Sequence, residues 1–445
     1  MAGTSDTSPE GRPEITIAEP AAELDEPGLD PRPDPTHKRG TFASLAVPNY
    51  RKHFIGTLIS ASGTWMQSTG QAWLLLRVLH QGDTAVGLIV AMQFLPMLVA
   101  GPYGGLLADR FDKRRILLVT QILYAVVTGG LAAITLAGYV HVWIVFVSAA
   151  LGGVVSVIDV PTRQAFASEL VGAGLLTNAV GLSSSVNNAA RAVGPALAGV
   201  IIAATGNPGW CFAYNSLSYL AAFVAIALMD PNGLQRSRRV VRAGGQVRAG
   251  LAYVRGHADL AAGMITITIV GVCSLNFLTL MPLLASDTFH AGAATFGALT
   301  SALGIGSLVG ALGVARYGRS SMRLVVGTAV ALGVMMLAVA AAPVVWVAIV
   351  ALVICGIAMT GFLASANTFL QLRAKPEMRG RVMSLYSLVI IGSSPIGGPL
   401  LALLSQRTSP RIGFVFGGVV ALLAAAFAAV RQPTLLRRAP LPTIS

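Results

Sequence analysis

Long runs of apolar residues follow one another along most of the chain. They lie near residues 53–78, 84–107, 116–138, 142–160, 177–204, 210–229, 260–284, 294–315, 323–342, 344–368, 379–404 and 412–430. A helix of about 20 apolar residues crosses the roughly 30 Å hydrocarbon core of a bilayer. The runs are continuous and do not alternate in short blocks, which favours helices over a barrel. The pattern predicts an all-α polytopic membrane protein with 12 transmembrane helices.

Basic side chains concentrate in every second loop of this pattern. Arg110, Lys113, Arg114 and Arg115 stand between the second and third runs, and residues 236–255 hold six arginines. Loops rich in Lys and Arg stay in the cytoplasm. We therefore expect both termini to be cytoplasmic, which agrees with an even number of spans.

Polar stretches divide the chain into parts. Residues 1–48 are acidic and Pro-rich, which predicts a disordered cytoplasmic tail that has no signal-peptide core. The parts that follow are a six-helix bundle at 49–233, a basic cytoplasmic loop at 234–258, a second six-helix bundle at 259–432 and a cytoplasmic tail at 433–445. Within the basic loop, Val247, Leu251 and Val254 recur at helical spacing. This spacing predicts a short helix on the inner membrane surface, with a plain basic loop as the alternative.

Composition excludes several classes of protein. Hydrophobic residues make up 54% of the chain and charged residues 11%, against roughly 25% charged in soluble domains. The net charge of +13 is not arranged in a basic patch with interleaved aromatic residues, so we expect no nucleic-acid partner. The chain contains no phosphate-binding loop, no zinc-protease motif and no paired cysteine spacing. We therefore expect no enzyme activity, no cofactor and no metal site.

The two halves of the chain show a weak internal repeat. The segment GGLLADR at 104–110 corresponds to GALGVAR at 310–316, and Gly194-Pro195 corresponds to Gly398-Pro399. Two six-helix halves in parallel repeat are one known transporter plan, with the substrate site between them near the membrane midplane.

Several motifs point to one family. The segment GLLADRFDKR at 105–114 resembles the loop signature G-x-x-x-D-R-x-G-R-[KR] of the major facilitator superfamily, with Asp112 and Lys113 at the positions of its second Gly and its Arg. The segments PTRQAF at 161–166, NAARAVGPALAG at 188–199, RGRVMS at 379–384 and PIGGP at 395–399 are similar to the enterobactin-exporter branch of that superfamily. The resemblance covers about 49–432. It implies two helix bundles that rock around a central cavity, and export driven by the proton gradient.

Seven residues are candidates for gating or coupling. The resemblance implies that Asp109, with Arg110 and Arg114 beside it, locks the inner face closed through the eleventh segment; a loop that only directs topology is the alternative. Asp159 and Arg163 have the i, i+4 spacing of a local ion pair, and Asp159 is a candidate proton site. Gly194 and Pro195 resemble the antiporter motif of exporters, although helix packing alone would also explain them.

Nine polar residues within apolar runs are candidates for substrate contact, because polar side chains in lipid turn toward a cavity or a partner. Gln67 and Gln71 share one helix face. Arg191 lies about 22 Å deep at 1.5 Å per residue and would suit an anionic group or a structural pairing. The weaker candidates, which could equally bond a neighbouring helix, are Gln93, Asn187, Asn188, Asn276, Asn367 and Gln371.

These features together predict a monomeric multi-pass transporter of the inner or plasma membrane. We expect secondary active, proton-coupled export of small amphipathic organic molecules, either a siderophore-like metabolite or drugs. An importer of an organic solute is the alternative within the same fold. A non-transporting receptor or scaffold is a further alternative; it would predict a large soluble domain or a filled cavity, and the sequence shows no such domain.

Overall fold

A computed structural model describes residues 42–235, 246–317 and 322–431, together with the isolated Gly3. All regular elements in these ranges are helical. In chain order the longer helices are α1 (Pro48–Trp73), α2 (Asp83–Arg110), α3 (Lys113–Leu136), α4 (Val142–Gly172), α5 (Gly174–Thr205), α6 (Gly209–Ala227), α7 (Gln246–Arg255), α8 (Ala258–Ser274), α9 (Phe277–Leu283), α10 (Ala293–Tyr317), α11 (Met322–Ala341), α12 (Val345–Arg373), α13 (Pro376–Arg407) and α14 (Pro410–Arg431).

Eleven spans in the described part of the chain are long and apolar enough to cross a membrane. The segment formed by α8, α9 and the turn after them, Ala258–Thr288, counts as one of the eleven. Helix α1 is 26 residues long but is not among them, because Ser, Thr and Gln side chains interrupt its apolar surface. The predicted all-α membrane fold is confirmed. The count of twelve spans and the cytoplasmic side of the termini remain predictions.

The fourth and fifth apolar runs are longer as helices than as hydrophobic segments. The chain is helical from Val142 to Thr205 except at Gly172, which has φ 69° and ψ 179°. This backbone region is essentially restricted to glycine. A Cβ at Gly172 would also collide with Gln235, whose backbone N–H donates to the Glu169 carbonyl at 2.8 Å. The polar residues at 161–176 thus belong to the ends of α4 and α5. The apolar run ends earlier than the helix because hydrophobicity reports where the lipid ends, and the helix continues beyond it.

Helix α7 occupies residues 246–255 of the basic central loop. It packs on α13, where a Cβ at Gly250 would lie 3.0 Å from the Arg381 carbonyl oxygen. Its predicted position on the membrane surface stays a prediction. Apart from Gly3 and residues 42–48, the two predicted tails lie outside the described residues. Residues 236–245 of the loop also lie outside them. The predicted domain boundaries likewise stay predictions.

The internal repeat appears in the backbone. We call α1–α6 the first half and α8–α14 the second half. In each half a π-helical turn, Leu74–Val78 or Leu284–Thr288, is followed by a histidine with a left-handed backbone, His80 (φ 49°) or His290 (φ 50°). Each then leads into the next long helix. Positive φ is uncommon for a residue other than glycine, so the shared turn supports the predicted relation between the halves.

The halves meet where small residues allow backbones to approach closely. A Cβ at Gly297 of α10 would lie 2.5 Å from the Pro195 carbonyl oxygen and 3.1 Å from the Gly199 Cα of α5. A Cβ at Gly87 of α2 would lie 2.8 Å from the Gly398 carbonyl oxygen of α13. Small residues at helix interfaces permit this type of packing in membranes.

Further contacts between the halves surround these glycines. Arg77 donates to the Ser286 carbonyl oxygen at 3.1 Å, and Trp73 stacks on Phe296 with ring centroids 6.3 Å apart. Thr84 is hydrogen-bonded to Gln406. We call this end of the molecule, which carries residues 82–87, 199–205, 293–297 and 398–406, the joined end.

We expect the substitution Gly297→Val to loosen the joined end without unfolding the protein, because the added carbons would push α10 away from α5. A cysteine placed at Ser148, which is 6% exposed, should then react faster with a membrane-impermeant maleimide added outside the cell. Gly313→Val on the same helix is the matched control, since nothing lies within 4 Å of a Cβ there. Equal labelling rates in both variants would show that this glycine contact does not hold the joined end shut.

Candidate transport cavity

A cavity of about 940 Å³ lies among the helices of the first half. Its described lining comes from α1 to α6, and Ile391 of α13 is the contribution of the second half. The lining extends from Gln71 and Ser148, near the joined end, to His53 and Ala167 near the opposite ends of α1 and α4. This volume lies in the upper part of the range for small-molecule sites, about 300–1,000 Å³. The sequence predicted a site between the halves, whereas one half supplies almost the entire described wall.

Five of the nine predicted substrate-contact residues line this cavity: Gln67, Gln71, Gln93, Asn187 and Asn188. The Gln67 side-chain oxygen accepts from Asn215 Nδ2 at 2.5 Å. Gln71 is 4% exposed, and its Nε2 has no hydrogen-bond partner. Their roles in binding remain predictions.

The other four predicted residues are not part of the described wall. Arg191 lies over the ring of Trp65, 4.7 Å from its centroid. Asn276 donates to the Val272 carbonyl oxygen at 2.7 Å, at the break between α8 and α9. Asn367 and Gln371 bond each other at 2.6 Å on α12. In this conformation these side chains serve contacts within or between helices, which are the structural alternatives that the sequence left open.

The predicted ion pair between Asp159 and Arg163 is present on the cavity wall. Arg163 Nη2 lies 3.0 Å from Asp159 Oδ2, and Arg163 Nε also donates to this oxygen at 3.2 Å. Asp159 is 4% exposed and accepts further hydrogen bonds from Thr120 Oγ1 at 2.7 Å and Gln121 Nε2 at 3.0 Å. A buried carboxylate is tolerated only with this degree of pairing. The two residues from α3 could not be assigned from sequence.

Sequence reasoning also missed most of the polar wall of α1. The residues Thr57, Ser60, Thr64 and Ser68 line the cavity together with Gln67 and Gln71. Their spacing of three and four residues is that of one helix face. This polar stripe was the signal that could have identified the wall. Tyr219, whose hydroxyl lies 2.9 Å from Thr64 Oγ1 and whose ring stacks on Tyr124 at 4.8 Å, has no comparable sequence signal.

The signature loop is held against the first half. Asp109 is the penultimate residue of α2, and Arg110 ends that helix with an exposed side chain. Arg114 donates to the carbonyl oxygens of Ile226 and Ala227 at 3.2 and 2.8 Å, at the end of α6. The loop therefore joins the ends of α2, α3 and α6.

The two departures from the signature have structural explanations. Asp112 is the N-cap of α3, and its side chain accepts from the Arg115 backbone N–H at 2.9 Å. Such a cap contributes about 1 kcal/mol. Lys113 Nζ lies 2.6 Å from Glu169 Oε1 at the end of α4. A lysine suits this single-point contact, in which the bidentate geometry of arginine is not needed.

Gly194 and Pro195 lie inside α5, where the helix crosses α1 closely. A Cβ at Gly194 would lie 2.7 Å from the Ser62 carbonyl oxygen and 2.7 Å from Trp65 Cβ. This contact provides a packing reason for the glycine. A role in conformational change stays a prediction.

Comparison with known proteins assigns the chain to a family. Residues 39–438 match the family described as transmembrane secretion effector. The chain belongs to this family of the major facilitator superfamily. The earlier resemblance to a facilitator of the exporter type is confirmed by this match.

Relatives with assigned names are transporters. The chain is 26% identical over 262 residues to the staphyloferrin A transporter of Staphylococcus aureus, covering 58% of this chain and 65% of that protein. It is 28% identical over 361 residues to the multidrug efflux pump Tap of Mycobacterium tuberculosis, covering 77% of this chain and 85% of the pump. The match thus spans just under two thirds of the first relative and most of the second.

Solved structures support the fold. The crystal structure of a D-xylose–proton symporter aligns with a TM-score of 0.67 and 14% identity, covering 86% of this chain and 97% of the symporter. At this identity the similarity shows the fold alone. With this family match and eleven candidate spans among the described residues, the chain is a multi-pass protein of the cell membrane.

We expect Arg163→Gln to lower the apparent Tm of the purified protein strongly, because it leaves the Asp159 carboxylate buried without its counter-charge. Loss of one partner of a fully buried pair costs about 3–5 kcal/mol, and we expect a smaller loss here because the Arg163 side chain is 24% exposed. The double variant Asp159→Asn/Arg163→Gln should recover part of this loss. The control is Asp259→Asn, which breaks a longer pair with Arg373 at 3.5 Å in which the carboxylate side chain is 29% exposed and should cost under about 1 kcal/mol. Additive losses in the double variant would contradict a coupled pair.

Proposed function

We propose that the chain is a secondary active exporter of small amphipathic molecules that works by alternating access. The observation that carries this proposal is the cavity of about 940 Å³ beneath the joined end. With the cytoplasmic orientation predicted from the basic loops, the joined end faces outward, and the described conformation is inward-facing. Similarity to a multidrug efflux pump and to a siderophore transporter supports export over uptake.

Closure of the inner end is assigned to the signature loop. Lys113 and Arg114 hold this loop to the ends of α4 and α6, so that the end of α2 moves with the first half. In the outward-facing state Asp109 would face the start of α13, as the resemblance implies. A carboxylate there is attracted to the positive end of a helix.

Proton coupling is assigned to Asp159. Its carboxylate belongs to the cavity wall and is paired with Arg163 four residues later. Protonation would remove the negative charge and free the guanidinium, which changes the electrostatics of the wall. A charge that is alternately paired and released is a way to link a proton to a conformational change.

Asp159→Asn is expected to abolish uphill transport while retaining downhill exchange of the same compound, because the amide cannot release a proton. The measurement is ethidium accumulation in everted membrane vesicles, with and without an imposed proton gradient. Asp259→Asn, which removes an acidic residue that pairs with Arg373 away from the cavity lining, is the control for a general loss of charge. Gradient-driven accumulation at the normal rate by Asp159→Asn would refute the coupling role.

Asp109→Asn should reduce transport severalfold at equal membrane expression, because the inner end would close less firmly. A cysteine at Gln164, on the cavity wall, should at the same time react faster with maleimide from the cytoplasmic side. Asp112→Asn is the matched control, since asparagine also caps a helix N-terminus well. Unchanged transport and labelling in Asp109→Asn would remove this residue from the gate.

A further inference from the structure

The charges on the cavity wall cancel each other. Among the described residues that line it, Asp159 and Arg163 are the carboxylate and the guanidinium, and they form one ion pair. The remaining titratable groups are Tyr124, Tyr219 and His53, whose ring packs edge-on against Phe166 at 5.8 Å between centroids. The wall thus offers no unpaired cation to balance an anionic substrate. Bringing an unbalanced anion out of water is costly.

The hydroxyl groups along α1 present mainly acceptor oxygens. Ser60, Thr64 and Ser68 donate to backbone carbonyl oxygens of their own helix at 3.3, 2.8 and 3.1 Å. A carbonyl oxygen can only accept, so each hydroxyl proton is committed and the lone pairs remain. The Tyr219 hydroxyl, 2.9 Å from Thr64 Oγ1, can then donate to this oxygen. This stretch of the wall favours a molecule that carries hydroxyl or N–H donors.

Two buried side chains near the joined end have the opposite character. Gln71 is 4% exposed and Ser148 is 6% exposed, and both line the cavity. Neither Gln71 Nε2 nor Ser148 Oγ has a hydrogen-bond partner. A buried donor without a partner costs about 1–3 kcal/mol, and such a group in a cavity is a reason to look for a ligand.

We propose that the closed end of the cavity binds a hydrogen-bond acceptor of an uncharged, hydroxyl-bearing amphiphile, and that Gln71 and Ser148 determine this specificity. The inference rests on the proposed function and narrows its substrate class. Multiply charged carboxylates are disfavoured while this ion pair is intact, because the described wall then carries no cation that is not already paired with Asp159. Trp65, Tyr124 and Phe94 also line the cavity, and we assign their rings to the apolar part of the substrate.

The test combines binding and stability in one set of variants. Gln71→Leu and Ser148→Ala remove the unpaired donors and leave side chains of similar or smaller volume. Their ligand-free Tm should be unchanged or higher, because a buried group without a partner is lost. Their affinity for an uncharged probe should fall about 10-fold, which corresponds to one lost hydrogen bond. Ser62→Ala is the control, since Ser62 is buried on the same helix outside the cavity lining and donates to the Leu58 carbonyl.

Binding is measured by equilibrium dialysis of the full-length protein in lipid nanodiscs, with radiolabelled chloramphenicol as the uncharged probe and citrate as the trianion. We expect chloramphenicol to bind and citrate not to bind. Tighter binding of citrate, or a lower ligand-free Tm in Gln71→Leu together with unchanged chloramphenicol affinity, would overturn the assignment.

The same probes in everted vesicles separate the two proposals. If citrate is accumulated and chloramphenicol is not, the chain is an exporter and the substrate class inferred above is wrong. If neither probe binds but ethidium is accumulated, the export proposal stands and the substrate class is again wrong. If no probe is bound or moved, both proposals fail.

Discussion

Close backbone contact between glycine-bearing helices at one end of the molecule is the constraint on which the rest of the structure depends. Gly297 of α10 packs against Pro195 and Gly199 of α5, and Gly87 of α2 packs against Gly398 of α13. In a bilayer there is little hydrophobic gain from joining two apolar helices, so that shape and close packing must hold them. The close contact between α5 and α10 continues past the joined end to Gly304, where a Cβ would lie 2.6 Å from Ala192 Cα, and the cavity lies among the helices of the first half.

The cavity wall shows how polar side chains are accommodated inside a membrane protein at a small cost in free energy. Hydroxyls on α1 return their protons to their own helix, and Asn187 and Asn188 each donate to a carbonyl four residues earlier. Asp159 is stabilised by Arg163 and by two donors from α3. A wall built in this manner is polar toward a ligand without leaving many buried groups unpaired. The exceptions among the lining residues are Thr57, Gln71 and Ser148, of which the last two lie near the joined end.

Membership of the transmembrane secretion effector family defines the type of protein but not the substrate. The relatives named for a siderophore and for multiple drugs share the same fold family at 26% and 28% identity. Fold-level similarity to a sugar symporter adds no information on substrate, because function is determined by local sites. Arguments about the substrate must therefore start from the residues of the cavity wall and not from the shared helical fold.

Sequence alone determined that this chain is an all-α membrane protein, because run length and hydrophobicity are local properties that any lipid-spanning helix must satisfy. It also indicated the Asp159–Arg163 pair, since residues four apart on a helix always face each other. Tertiary structure decided which amides line the cavity. Gln71 and Asn276 are both amides that interrupt apolar helices, yet one lines the cavity and the other bonds the Val272 carbonyl oxygen of its own segment. The difference depends on how each helix is rotated against its neighbours, and that rotation is set by side-chain packing between residues distant in the chain.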